Sequence, residues 1–593
     1  MWLSLYIIKL LFNSKVLRRE NYLTMKDYFH KTIGRNTVRA ALMGQIEDYV
    51  KVILKGNIQQ IPYSTYVDFY KSGSRKEFED FYFERRKELT ALGLYLQWND
   101  SKKAIDYFQE LLWTISNEFS WCLAAHLPYE EDTFGEDPAK VIDLFSAETA
   151  QTLSEIIIIH KDKIDLLLSN HIKKQIKERV INPFIDTNWE WETATHNWSA
   201  VCGGCIGIVA LLIEKEEKQK LILNKVEKAL EYYISGFGED GATLEGIGYW
   251  SYGFGYYIYY KALKNEIYPK DNFKENNKIK AIANFPQSIQ ISEEVFLPFS
   301  DVPPNMTLPS GLISYLYSKY NIKLPLIEKI SSLNFDHCYR WAHVSRNLWW
   351  TSEDILKKEL SNISCYFEDA QWMIHRKDKM FFAIKGGSNN EPHNHNDIGS
   401  FVAAIDGEII LADLGAGAYT KGYFGSERYT YNHTRSYWHS VPLINKCEQE
   451  ENKLISNVVK YNIQNDSIEF DLELSSAYPS AEINNFYRKV KFENNKGMFT
   501  IEDSILGEDI TLINEGFISY IKPKVTKVGE VIWSGKKGNI ILSYNCDIFD
   551  YSIEEEEVTN HYNEVISIYR LGLLTRNKEK EFIMAFKFYY EII

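Results

Sequence analysis

Glu391-Pro-His-Asn-His-Asn-Asp-Ile-Gly-Ser400 sets the frame for the rest of the chain. It follows an alternating apolar run at 380–384 and Gly386-Gly387, and a second such run follows it at 401–405. Side chains along extended backbone alternate with period two. A His-x-His-x-Asp pattern flanked by strands is therefore expected to set His393, His395 and Asp397 on one side. Three polar groups pointing one way make a site or an exposed edge, not a core. Downstream lie Asp413, in Leu411-Ala-Asp-Leu-Gly-Ala-Gly417, and His439, in Tyr437-Trp-His-Ser440. Two imidazoles and a carboxylate arriving from neighbouring strands are the donor set of a zinc site.

Outward from this stretch the two halves of the chain differ in texture. Toward the C-terminus, alternating runs recur at 372–375, 408–412, 468–474, 486–492, 498–503, 539–544, 565–569 and 581–589. Asp406-Gly407, between two runs, is a hairpin turn signal. Many strands without intervening helices predict an antiparallel β-sandwich. Toward the N-terminus, apolar residues recur at three-to-four spacing over 78–98, 104–119, 141–168, 172–180, 200–213, 218–233 and 249–263. Helices of similar length with no strands between them predict hairpins stacked in a ring or superhelix. The reading is a multidomain α+β chain: an extension at 1–40, a helical domain at 41–345, a linker at 346–364 and a β domain at 365–593. Ligand clefts commonly lie between such domains.

At 593 residues the chain is long enough for two or three cores. A net charge of −14 argues against nucleic acid or another polyanion held by the surface as a whole, so an acidic substrate needs a local basic lining. Aromatic residues make up 15% of the chain, a richness that suits sugar-facing clefts, although most of these rings are expected in the core. Seven cysteines, an odd number without disulfide-like spacing, read as reduced thiols, and Cys202-Gly-Gly-Cys205 reads as packing on an apolar helix. The apolar residues 1–12 are interrupted by Lys9, lack a cleavage site and are too short to span a bilayer. No other stretch reads as a membrane span. The expectation is a cytoplasmic protein, with Met25 as an alternative start and a periplasmic or secreted location left open.

Two constellations stand out in the helical half. His196-Asn-Trp-Ser-Ala-Val-Cys-Gly-Gly204 precedes a helical run, where Asn197 reads either as a cap or as a functional residue. Asp240-Gly-Ala-Thr-Leu-Glu-Gly-Ile-Gly-Tyr-Trp-Ser-Tyr-Gly253 is rich in glycine, and Glu245, Tyr249 and Tyr252 share a face if the segment is helical. A tyrosine acts as a general acid or base when its phenol loses its proton readily, which a cationic neighbour favours. Tyr249 reads as functional and Tyr252 as packing.

Together these motifs, with Phe299-Ser-Asp301 between them, resemble the heparinase II/III-like polysaccharide lyases. The resemblance implies an incomplete N-terminal (α/α) toroid, a C-terminal antiparallel β-sandwich and an active site at their junction. It implies β-elimination on a uronate-containing polysaccharide or oligosaccharide. By similarity, His395, Asp413 and His439 fall where the family holds a zinc ion, largely structural, and His393 stands beside it on the substrate side. Asn197 and His196, in either order, fit the groups that neutralise the uronate carboxylate or assist proton transfer. Tyr249 fits the catalytic tyrosine and Tyr429 is a further candidate acid. Glu245, Trp198, Trp250, Arg428 and Arg435 are the candidate substrate-binding residues, and Lys421 adds to the basic lining of the tyrosine-rich segment 419–439. The acidic charge balance and the missing export signal point away from heavily sulfated glycans. Two rival readings remain. One is a glycoside hydrolase using two of Asp240, Glu245 and Asp301. The other is a non-catalytic glycan-binding or surface-polysaccharide assembly protein.

Overall fold

The computed structural model describes residues 37–130, 132–269, 276–420, 422–451, 455–464 and 467–593. The apolar leader and Lys421 lie outside the described residues.

The helical half is built around Asn197–Ile213. This helix carries no charged residue, and a helix apolar on every side can only be stable when surrounded. Its neighbours are Leu144–Ile159, Glu216–Ser235 and Gly255–Ile267. Gly207 permits the closest approach, since a Cβ there would meet the Tyr260 ring at 2.5 Å. Cys202 and Cys205 are fully buried, as the packing reading requires. The expected single helix over 141–168 is two. Leu144–Ile159 ends at His160, whose Nε2 bonds the Gly93 carbonyl at 2.7 Å, and Leu166–Ile176 begins after a polar turn.

Among the described helices of this half, the last packs on the first and draws the arc of the toroid together. Trp341–Trp350 sits against Thr37–Ile53, Lys76–Tyr95 and Leu144–Ile159. Arg346 clamps Glu155 through two bonds of 2.7 and 2.6 Å, both side chains fully buried, and Trp341 Nε1 donates to the same carboxylate at 2.7 Å.

Among the described residues the β half forms three antiparallel sheets. The first contains β1 (Ile363–Phe367), β2 (Trp372–Lys377), β3 (Met380–Lys385), β4 (Phe401–Ile405) and β5 (Glu408–Leu411), in that order. Asp406 and Gly407 both take positive φ, 48° and 89°, so the β4–β5 connection is the tight hairpin their sequence signals. An eight-stranded sheet centred on Met498–Ile510 and a four-stranded sheet centred on Val565–Thr575 and Ile513–Ser519 complete the sandwich. The two faces of the first sheet belong to different cores. Trp372, Ile374, Phe381, Ala383, Val402 and Ala404 join the helical core, whereas Met373, Phe382, Ile384, Phe401, Ala403 and Ile405 join the sandwich core. Period-two alternation thus makes one sheet the seam between the halves. Burial on both faces explains why 380–384 is apolar at every position and does not alternate with polar residues as expected. The loop between β3 and β4, residues 386–400, emerges at that seam.

Candidate active site and metal cluster

The histidine-rich loop is not extended. His393 takes φ +58° and Gly399 φ +88°, so the expected row of His393, His395 and Asp397 on one side does not form. The left-handed turn at His393 throws its ring outward, toward the helical half. His395 and Asp397 turn inward and are fully buried.

The inward pair meets Asp413 and His439. One donor atom from each of His395, Asp397, Asp413 and His439 lies within 4.8 Å of the others. His439 Nδ1 donates to the Arg435 carbonyl at 2.9 Å, which leaves the Nε2 lone pair facing Asp413 Oδ2 at 3.5 Å. His395 Nε2 donates to Asp301 Oδ1 at 3.1 Å, which leaves the Nδ1 lone pair 3.9 Å from Asp413 Oδ1. His395 Nδ1, His439 Nε2 and Asp413 Oδ2 are buried without hydrogen-bond partners. Unmet polar atoms are costly in a dry interior. A four-coordinate ion with ligand bonds of about 2 Å sets its ligands about 3.3 Å apart. The two histidine nitrogens stand 3.5 and 3.9 Å from the Asp413 oxygens, so a bound ion would draw them in by a few tenths of an ångström. The donor set could therefore hold a metal ion, with each imidazole oriented by a partner on its far nitrogen. Asp397 was not among the expected ligands. Its Oδ1 lies 2.7 Å from the buried Lys385 Nζ, which answers its charge without hydrogen-bond geometry.

Asp301 belongs to the resemblance as part of Phe299-Ser-Asp301, but the only role weighed for it was that of a hydrolase carboxylate. It is 2% exposed and accepts four bonds. His395 Nε2 at 3.1 Å and the Tyr423 hydroxyl at 2.8 Å reach Oδ1. His393 Nδ1 at 2.8 Å and Arg428 Nη2 at 3.1 Å reach Oδ2. Burial alone would raise its pKa, but the hydrogen bonds from His393 and His395 and the Arg428 charge outweigh burial and hold it well below the usual carboxylate range. Neighbouring Ser300 has φ +68°, a strained conformation of the kind that gathers at functional sites.

Tyr249 arrives from the helical half. Gly246, at φ +102°, turns the chain where a Cβ would strike Val302 at 2.5 Å. The segment continues as Ile247–Tyr249 and then as a widened π turn, Trp250–Phe254. The Tyr249 ring lies 4.3 Å from the His393 ring, centroid to centroid, and its hydroxyl is 3.1 Å from that of Tyr419. Burial and then the Asp301 charge raise the phenol's pKa far above its ordinary value, with Arg428 a lesser opposing influence. Burial, with the acidic neighbours beside it, thus outweighs the cation, and the phenol keeps its proton. Tyr252 diverges from Tyr249 and lies under Arg340, 4.0 Å from its guanidinium carbon, because the π turn and Gly246 break the shared helical face.

Asn197 is the first residue of its helix rather than the cap. His196 occupies the cap position and makes no side-chain cap bond. The Asn197 backbone N–H bonds the Glu245 carboxylate, whose pKa is raised by burial against the opposing pull of His393 and this bond. Glu245 Oε1 also lies 3.6 Å from His393 Nε2. His196 has its pKa lowered by burial, with a smaller contribution from the His393 charge. Asn197, His196, Glu245, Tyr249 and His393 are thereby gathered into one site with Arg428.

Other expected site residues stand elsewhere or are occupied. Trp250 is fully buried, donates to the Ile282 carbonyl at 2.8 Å and packs on Phe254, so it belongs to the core and not to substrate binding. Trp198 packs on His126, ring centroids 5.3 Å apart. Arg435 is held by Glu448, to which both its Nε and Nη2 donate, and so is not available as a substrate cation. Tyr429 accepts a bond from Asn394 at 3.4 Å, one residue from His393. Asp240 accepts the backbone N–H groups of Asp369 and Ala370 in a turn at the seam. Glu245 and Asp301 face opposite nitrogens of one imidazole, so these carboxylates do not flank a free cleft as a hydrolase pair must.

Residues 362–530 match the family described as heparinase II/III-like, C-terminal. No curated protein matches the chain. Solved structures resemble it over nearly its whole length. The heparan sulfate lyase HepC from Pedobacter heparinus is 14% identical, with a TM-score of 0.58 over 94% of this chain and 88% of that one. A heparinase III is 12% identical, with a TM-score of 0.59 over 95% and 94%. The Streptomyces coelicolor A3 chondroitin AC lyase, in complex with chondroitin sulphate, is 8% identical, with a TM-score of 0.54 over 97% and 82%. Among the described residues no helix is long and apolar enough to cross a membrane. The chain has the toroid-and-sandwich fold of these lyases, and in residues 362–530 it carries the C-terminal domain of the heparinase II/III-like family.

Proposed function

We propose that this protein is a polysaccharide lyase that cleaves uronic-acid glycans by β-elimination. The observation that carries the reading is the meeting of Tyr249, from the toroid, with His393, from the sandwich, at 4.3 Å across the seam. Around them stand amide and imidazole donors suited to a carboxylate. The C5 proton of a uronate is weakly acidic because its removal spreads negative charge into the adjacent carboxylate. In this reading Asn197 and His196 donate to that carboxylate as charge builds, by the logic of an oxyanion hole. His393 donates Nδ1–H to Asp301, so its Nε2 lone pair is the base that takes the C5 proton. The C5–H electron pair becomes the C4–C5 double bond, the C4–O bond breaks, and Tyr249, which keeps its proton, donates it to the leaving oxygen.

His395, Asp413 and His439, with Asp397 beside them, would hold a zinc ion. The ion's contribution is charge that fixes the loops bearing His393 and Asp301. Arg428 spends its charge on Asp301 and Arg435 on Glu448, which supports a glycan with few sulfates.

The test is a panel of uronate glycans followed by ultraviolet absorbance of the unsaturated product end. Absorbance growing in step with new reducing ends supports elimination. Reducing ends without absorbance would establish hydrolysis, and binding without either would leave a glycan-binding protein.

A further inference from the structure

We propose that Asp301 is a positioning residue that fixes the tautomers of two histidines with different tasks, His393 at the reacting centre and His395 at the metal cluster. The catalytic half of this inference rests on the lyase reading; the tautomers and the metal do not. An ionised carboxylate can only accept hydrogen bonds. Asp301 accepts from His393 through Nδ1, at 2.8 Å, and from His395 through Nε2, at 3.1 Å. The two rings are therefore held in opposite tautomers by the two oxygens of one side chain. His393 presents Nε2 toward Glu245 and the site, and His395 presents Nδ1 toward Asp413. Neither ring can change tautomer without facing a lone pair to Asp301, and neither can turn over without losing its bond to that carboxylate.

The surroundings of Asp301 fill both of its oxygens and hold it still. Arg428 supplies the countercharge on Oδ2 and the Tyr423 hydroxyl fills Oδ1. Tyr423 is itself fixed by the Gly417 N–H at 3.2 Å, and Arg428 by the Asn394 and Tyr423 carbonyls at 3.0 and 3.2 Å. The segment carrying Asp301 is tied to the loop carrying Asp413 through the Ala416 N–H and the Val302 carbonyl, at 2.9 Å. One carboxylate thus links the metal cluster to the base, with Arg428 and Tyr423 as its supports.

The test uses the full chain labelled with ¹⁵N-histidine, signals assigned through His393→Ala and His395→Ala, and long-range ¹H–¹⁵N spectra that report which ring nitrogen is protonated. The wild type is expected to show His393 protonated at Nδ1 and His395 at Nε2. Asp301→Asn, nearly equal in shape, presents one acceptor and one NH₂ donor, so at least one ring must change tautomer. Its zinc affinity should fall by about 10- to 100-fold. Turnover on any glycan the wild type cleaves should fall mainly in kcat and stay low when zinc is restored in excess. His393 protonated at Nε2 in the wild type, a result independent of how the variant folds, would overturn the proposal. So would an Asp301→Asn protein that keeps both tautomers and its zinc. If no glycan is cleaved, the lyase reading fails while spectra and metal content still decide the role of Asp301.

Discussion

Tyr249 and Trp250 are adjacent in sequence, and a substitution at each should fail in a different way. Tyr249→Phe removes the proposed proton donor and one bond to Tyr419, so kcat should fall by about 10²- to 10⁴-fold while the thermal midpoint stays near that of the wild type. A variant of unchanged kcat would remove Tyr249 from the chemistry. Trp250→Ala empties a fully buried site and strands the Ile282 carbonyl, which should cost about 3–5 kcal/mol in denaturant unfolding and leave the KM of the folded enzyme unaltered. A raised KM at unchanged stability would return Trp250 to the substrate. The tyrosine was legible because a glycine-rich turn beside it marked close backbone approach. The tryptophan was misassigned because a motif shows which residues are neighbours but not where each points once a π turn intervenes. His393 shows the same limit. Its identity was plain in the sequence, but a positive φ at a non-glycine residue has no local signature, and the period-two argument assumed extended backbone. Asp301 was hidden for another reason. Its partners lie 92 to 127 positions away, so its place as an acceptor of four bonds exists only after folding.

The loops between strands carry most of the candidate site residues, and they are stitched together by the protein's own hydrogen bonds. Arg488, fully buried between Asp503 and Glu515, donates to the Gly399 and Ser440 carbonyls at 2.8 and 2.9 Å, and so anchors the loop of His395 and that of His439 to the sandwich. Ser436 Oγ donates to the Asn396 carbonyl at 2.6 Å and the Asn396 N–H to the Thr434 carbonyl at 2.9 Å. A metal bound to so prepared a site adds stability by linkage, because the unfolded chain holds it less well. Chelation should therefore lower the thermal midpoint of the wild type, and His395→Ala should lower it similarly while making the protein indifferent to chelator. Zinc analysis and melts with and without chelator check this, and a wild type that contains no zinc and melts alike in both would refute it. Strands were legible where alternation was clean, as in Ser467–Glu473, buried at every second residue. Phe549–Thr559 was not, because its Glu554-Glu555-Glu556-Glu557 run is charged on both faces and leaves no alternation to read. In the helical half, Asn277–Ile289, with an internal Pro286, was missed for a comparable reason: a helix breaker stands where only tertiary packing keeps the helix intact.

At the scale of the whole molecule, ring closure sets the response to acid. His343, on the closing helix, is fully enclosed and shares a 2.8 Å bond between its Nδ1 and the Tyr259 hydroxyl. Burial lowers its pKa from 6.5 to about 3, with Arg340 and Arg346 acting in the same direction and Asp336 against them. The folded state therefore binds this proton less readily than the unfolded state, and the unfolded state gains it first as pH falls. Stability from His343 is full above about pH 6.5 and declines through the window down to about 3, at ~1.4 kcal/mol per pH unit. Asp336 adds to the loss lower down. Arg340 holds its carboxyl at about 2 despite burial, so its contribution is present above 3.8 and fades toward 2. His343→Gln keeps an acceptor for Tyr259 but cannot take up the proton. Comparing the two proteins in denaturant at pH 7, 5 and 4 cancels the other titrating groups, which are common to both. The wild type should lose stability more steeply than the variant between pH 6 and 4, with the gap narrowing as pH falls. Parallel losses would mean that the toroid opens to protonate His343 before it unfolds, and that closure of the ring is not what limits its survival in acid.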